Sequence, residues 1–406
     1  MNPGERLICW PEERVLEDVA YGHQATPTRI FAILLPVWSV TVKATVRDGE
    51  PYDLIDRYLE RGIAEAALDT SADLASFLGL DEIVTDRALR FLAAIGHVSI
   101  HAGQVTLTEL GYRSVRDGVR YVVTREDRRT LYFDGFGSRP LTCAYYEPRT
   151  VTLLTAAKAA AAAAAPGWPR FTVLCSTHGF RPEALSELAR SPDRHRFNLP
   201  ERIDDPQGIG APECLFLPAY VVRAIQQRNG AGVVRLFAYT QASDVADLYI
   251  TGLCERTPEI ASALEAEEHS LAPRAHERIK PWLENRIRGE YQLRQLDNGS
   301  WQATLPAADF GGSDALPLSK VGSFVVMNHH ILYLWCEDRQ VRHEALLERI
   351  DSFLNSRAKP DRDVTGELVA QIARQLELGP IDWPRLRSMA AESGRVSLAA
   401  QLDALT

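Results

Sequence analysis

The sequence predicts a mixed α/β protein of several domains, and three observations lead there. At 406 residues the chain is longer than one ordinary domain. Apolar residues make up 46% and charged residues 24%, enough to fill sizeable cores under an ordinary charged surface. Hydrophobic spacing also changes along the chain: helical over 52–118 and 361–406, strand-like over much of 168–345. The layout expected is a strand-rich N-terminal arm over 1–50, a helical unit with a β extension over 51–150, a central α/β domain over 168–345 and a small helical tail over 361–406.

The arm 1–50 reads as turns and strands. Its most apolar stretch, "IFAILLPVWSVTVKATV" from Ile30 to Val46, is rich in β-branched residues and alternates at Val40 and Val42, as a strand does. Asp48-Gly49 is a turn pair expected to end it. Pro36 and Lys43 interrupt the stretch, which is short for a membrane span, and Met1 to Glu13 is polar with no signal peptide, so no membrane partner is expected.

The clearest pattern follows. From Tyr52 to Ala67 a helical face carries Leu54, Ile55, Tyr58, Leu59, Ile63 and Ala66. Ser71 stands at an N-cap position before "ADLASFLGL", with Leu74, Phe77 and Leu78 expected inward and Gly79 as the stop. Asp81 opens a third helix, anchored by Leu89 and Leu92 and broken by Gly96. "HVSI" and "QVTL" read as a hairpin, and "TELGYRSVRDG" as a last helix capped by Thr108.

This stretch resembles the winged-helix domains of MarR-type and ArsR-type bacterial regulators. The residues that carry the resemblance are Leu74, Leu78, Leu89, Leu92, Gly96, Val98 and "LTELG" at Leu107–Gly111. The resemblance implies that the third helix enters the DNA major groove. It would turn Ile83, Val84, Asp86, Arg87 and Arg90 outward. Two of these are aliphatic and one is acidic, and Asp81 and Glu82 would face the same phosphates. Over 52–118 there are six arginines against eleven carboxylates, whereas duplex binding gains most of its affinity from neutralised phosphates. Arg87 and Arg90 are the candidate DNA contacts here. Docking of a partner protein stays open beside DNA.

Residues 119–150 are more basic, six arginines against four carboxylates, with aromatics interleaved. Arg125, Arg128 and Arg129 are further candidate DNA contacts. The preferred reading is a β-hairpin turning through "DGFGSRP", with the aromatics in a core and the arginines solvated.

Ala159 to Ala165 closes at Pro166-Gly167, either a connecting helix or a spacer. Beyond it, apolar runs predict strands at 171–175, 214–222, 233–239, 324–328 and 331–336, of the kind covered on both faces. Helices are expected at 181–190, 242–249 and 257–287. "RAKPDRD" at 357–363 marks a second boundary. After it, Leu368, Ile372 and Leu376 recur at helical spacing, Trp383-Pro384 open another helix, and 396–405 a third.

No catalytic constellation in the sequence is complete. Cys175 and His178 follow a strand and could act as nucleophile and base, but no third partner is marked. His329 and His330 on one strand point to opposite faces, so they do not share a metal without a turn. No nucleotide-binding glycine loop occurs. No cofactor, metal or catalytic residue is therefore expected. The six cysteines are scattered with no C-x-x-C pair, as in a reduced cytoplasmic protein, and the net charge of -9 excludes a generally basic coat. Only five of the 45 basic residues are lysine, which fits codon bias in a GC-rich genome. The expected function is a non-enzymatic regulator or adaptor, docking DNA or a protein through the winged helix. In layout it is similar to accessory components of bacterial transcription, stress and anti-phage systems. The alternative is a hydrolase or nuclease with its site near His178. Homo-oligomerisation stays open.

Overall fold

A computed structural model describes residues 7–166, 169–228, 231–271, 275–312, 315–327, 330–356 and 361–405, with backbone alone at 46–48, 123–125, 228, 271, 275 and 276. The chain is mixed α/β, 44% helix and 27% strand. Its contacts form two compact units: residues 37–146 with 179–214, and residues 1–36 with 147–178 and 215–406. One strand, Ala25–Glu50, contributes its first half to one unit and its second half to the other.

In the unit of 37–146 and 179–214, that strand runs antiparallel to Arg120–Asp134, from Val37 opposite Asp134 to Glu50 opposite Arg120, and also pairs with Ile203–Gly208. The turn expected at Asp48-Gly49 does not form. Both residues stay in the ladder, opposite Val122 and Tyr121, so cross-strand pairing overrides a local turn preference. Glycine at 49 serves close approach instead: a Cβ there would lie 2.5 Å from a Val119 methyl. Val40, Val42 and Ala44, two apart and on one face, bury against Ala184, Leu185 and Leu188 of the helix Glu183–Arg190. The turn after Asp134 forms as expected. Its carboxylate accepts from the backbone N–H of Phe136 (3.0 Å) and Gly137 (2.6 Å) through Oδ1 and of Arg139 (3.0 Å) through Oδ2.

Between these long strands lie the helices Leu54–Ala66, Ser71–Leu78 and Glu82–Ala94, the hairpin of Val98–His101 and Gln104–Leu107, and the helix Glu109–Asp117. Each helix opens on a side-chain cap: Asp53, Thr70, Asp81 and Thr108. The second cap is Thr70, one residue before the serine the sequence suggested. Leu59, Leu74, Leu89, Leu92, Val98 and Val105 fill the core, each stabilising by ~1.5–3 kcal/mol on burial. Phe77, expected inward, is instead 65% exposed. Leu74 already fills the inward row of that short helix.

The other unit holds two sheets. Ile30 to Leu35 are buried consecutively, as expected of a strand covered on both faces. That strand pairs in parallel with Phe171–Val173, and Glu213–Arg228 joins the same sheet and forms a hairpin with Ala231–Tyr239. The alanine run is a helix, Ala156–Ala164, with Ala159 and Ala162 buried. The helix expected at 242–249 begins only at Leu248, where Asp247 caps it by accepting from Ile250. The span 257–287 contains two helices, Pro258–Leu271 and Ala275–Glu284. The helix Glu12–Glu17, continued by a π-helical turn at Asp18–Gly22, was not foreseen.

The second sheet has the order Gln292–Gln295, Trp301–Thr304, His330–Trp335, Phe324–Met327. The helices Arg362–Gln375, Trp383–Glu392 and Val396–Ala404 bury Ile372, Leu386 and Leu402 in the same core as Leu332, Leu334 and Leu346. The expected tail is thus packed on this sheet. Among the described residues no helix is long and apolar enough to cross a membrane.

Candidate functional site

The helix Glu82–Ala94 separates its residues by face. Thr85, Leu89 and Leu92 are buried, and the opposite side presents Ile83, 80% exposed, and Val84, 45% exposed. Phe77, at the end of the preceding helix, adds a third exposed apolar side chain. Acids crowd the start of the helix. Asp81 accepts from the Ile83 N–H at 2.8 Å, so a carboxylate already occupies the place where a helix N-terminus would hold a phosphate. Arg90 is committed to Asp86 at 2.5 Å one turn away, and Arg87 is exposed with no ion pair among the described residues.

The strand arginines are placed elsewhere. Arg128, 71% exposed in its side chain, lies 3.5 Å from Glu126, and Arg129 is paired with Asp127 at 2.9 Å. Adjacent residues on Arg120–Asp134 point to opposite faces, so these two do not converge on one phosphate track. The Arg125 side chain lies outside the described residues.

Inside the same helical unit is a group that the sequence did not announce. His97 and Glu60 are both fully buried and paired through Nδ1 and Oε1. The other ring nitrogen meets the Tyr121 carbonyl oxygen. Both partners offer an acceptor oxygen, so the contacts favour the protonated ring. Burial pushes its pKa down, but the bond to Glu60, the bond to Tyr121 and the Glu60 charge together outweigh that, and the net shift is upward. Tyr52 donates to the second Glu60 oxygen, and burial with that contact pushes its phenol up. Beside it Arg120 bridges Asp56 at 2.9 Å and Glu50 at 2.7 Å. Every member has a partner, and the cluster ties the first helix, the hairpin and the long strand together.

Gly111, in the "LTELG" segment, belongs to this construction. A Cβ there would sit 2.3 Å from the His97 carbonyl oxygen, so only glycine lets the last helix approach. Thr108 caps that helix by accepting from the Gly111 N–H at 3.2 Å, while its own N–H donates to His97 at 2.9 Å.

Near Cys175 and His178 the geometry is that of a small exposed loop. The His178 ring nitrogen Nδ1 is 3.1 Å from the hydroxyl of its neighbour Thr177, and Ser176 accepts from the His178 N–H at 3.1 Å. Among the described residues no carboxylate pairs with His178. His329 lies outside the described residues, and His330 is a buried strand residue.

No family model, curated protein or solved structure matches this chain.

Proposed function

We propose that the chain is a non-enzymatic adaptor of winged-helix type, docking a partner protein through the outer face of Glu82–Ala94. The observation that carries this is the exposure of Ile83, Val84 and Phe77 on and beside the helix that would otherwise read DNA. A duplex wants basic and polar groups there. Here one arginine is neutralised by Asp86, and Asp81 and Glu82 stand at the helix start. Apolar anchors ringed by carboxylates suit a protein surface with an apolar centre and a basic rim.

The test places a photo-crosslinking amino acid at Ile83 in the cell. The expected product is a protein adduct that Val84→Asp removes. A nucleic-acid adduct, or no adduct at all, overturns the reading. So does duplex binding at low salt that weakens with Arg87→Ala.

A further inference from the structure

Within the unit of 37–146 and 179–214 there is a cleft of about 1000 Å³. One wall is the helix Glu109–Asp117, which contributes Tyr112, Arg113 and Arg116; the other is the segment 189–204, with Arg190, Arg194 and Arg202. Five arginines face four carboxylates there, in a chain that is acidic as a whole.

Two of these arginines make no hydrogen bond among the described residues, although Arg113 is in loose ion pairs. Arg113 stands 3.7 Å from Asp204 and 4.0 Å from Glu109, beyond hydrogen-bond reach, and makes no hydrogen bond among the described residues. Arg190 has neither an ion pair nor a hydrogen bond among them. Arg194, by contrast, is fixed: it donates to the carbonyls of Ala189 at 3.1 Å and of Glu201, and so stiffens the second wall. Tyr112 is 56% exposed beside these guanidinium groups, its ring open to the cleft.

We infer that this cleft binds a nucleotide. Guanidinium groups with free donors take phosphate oxygens in bidentate fashion. An exposed tyrosine ring offers a stacking surface for a base, sequence-tolerant because every base has a π-face. The volume suits a small organic ligand and far exceeds a lone phosphate. The four carboxylates weigh against a long nucleic acid, whose repeated phosphates would meet them, while a short phosphate chain can lie on Arg113 and Arg190 alone. The site lies on a different helix from Ile83 and Val84, so it stands or falls independently of protein docking.

Titration calorimetry of the full chain with ATP, GTP, pyrophosphate and a ten-nucleotide oligothymidylate tests it. Saturable binding of at least one nucleotide is expected. Arg190→Gln should weaken nucleotide and pyrophosphate alike by about tenfold or more. Tyr112→Ala should weaken the nucleotide by about tenfold and leave pyrophosphate unchanged. Both side chains are exposed, so both variants should melt as the parent does. No saturable binding at millimolar nucleotide overturns the inference. So does binding indifferent to both variants, or tighter binding of the oligonucleotide, which would make the cleft a strand groove.

Discussion

The helical unit at 52–118 and the core around the four-stranded sheet use their side chains in opposite ways. Around the sheet, Leu332, Leu334, Leu346, Ile350 and Leu376 are buried, and among the described residues of 279–405 the exposed large apolar side chains are Val364 and Val396. In the helical unit a paired histidine and glutamate are fully buried, while Leu54, Phe77, Ile83, Val84 and Tyr112 are open to solvent. A core built for stability alone would not be arranged this way, because a buried ion pair often does no better than apolar residues of equal volume. The helical unit spends apolar surface outside, where another molecule can cover it, and fixes its interior with directional bonds.

The largest expected effect tests the ionic interior. His97→Ala strands the Glu60 charge and should destabilise the unit by about 3–5 kcal/mol. Adding Glu60→Leu should recover most of that. Hydrogen exchange of the Leu54–Ala66 amides reads both, and a double variant no better than the single would break the contrast. Leu346→Ala, in the apolar core, should cost about 2–5 kcal/mol through transfer and cavity terms, with no rescue from a polar partner; urea unfolding measures it. Gly111→Ala should cost at least about 1–3 kcal/mol from overpacking against the His97 carbonyl, read as loss of protection in Glu109–Asp117.

A pH series sharpens the comparison further. His97 is held above its ordinary value of about 6.5, so its stabilisation is complete below that pH and is lost as pH rises through the raised value. Exchange protection of Leu54–Ala66 should fall across that interval in the parent and stay flatter in the His97→Ala, Glu60→Leu double variant. The smallest effect concerns the outer face: Ile83→Ser and Phe77→Ser should change thermal stability by about 0.5 kcal/mol or less. A larger loss would mean that these side chains pack within the chain.

Periodic and capped elements were legible in the sequence. The rows Leu59/Ile63 and Leu89/Leu92, the stop at Gly79 and the hairpin after Gly96 all follow from local spacing and turn chemistry. Pairings between distant residues were not. Nothing near Glu60 says that His97 lies against it, and nothing near Asp48-Gly49 says that Tyr121 and Val122 hold it extended. Phe77 was placed inward because a short helix offers too few turns to fix its face. For the cleft there was a local signal, Arg113 and Arg116 three apart on one helix and four arginines between Arg190 and Arg202. It was lost against the general abundance of arginine.

The strand Ala25–Glu50 also has a consequence for synthesis of the protein. Its first half, with Ile30 to Leu35 buried on both faces, belongs to a unit that includes residues 215–406. The other unit is complete in sequence once Cys214 has been made. At ordinary elongation rates, nearly half the chain's length separates Leu35 from the strand Glu213–Arg228 of its sheet, a delay on the order of tens of seconds. During that interval six consecutive apolar residues await their sheet, and apolar surface exposed in this way favours aggregation.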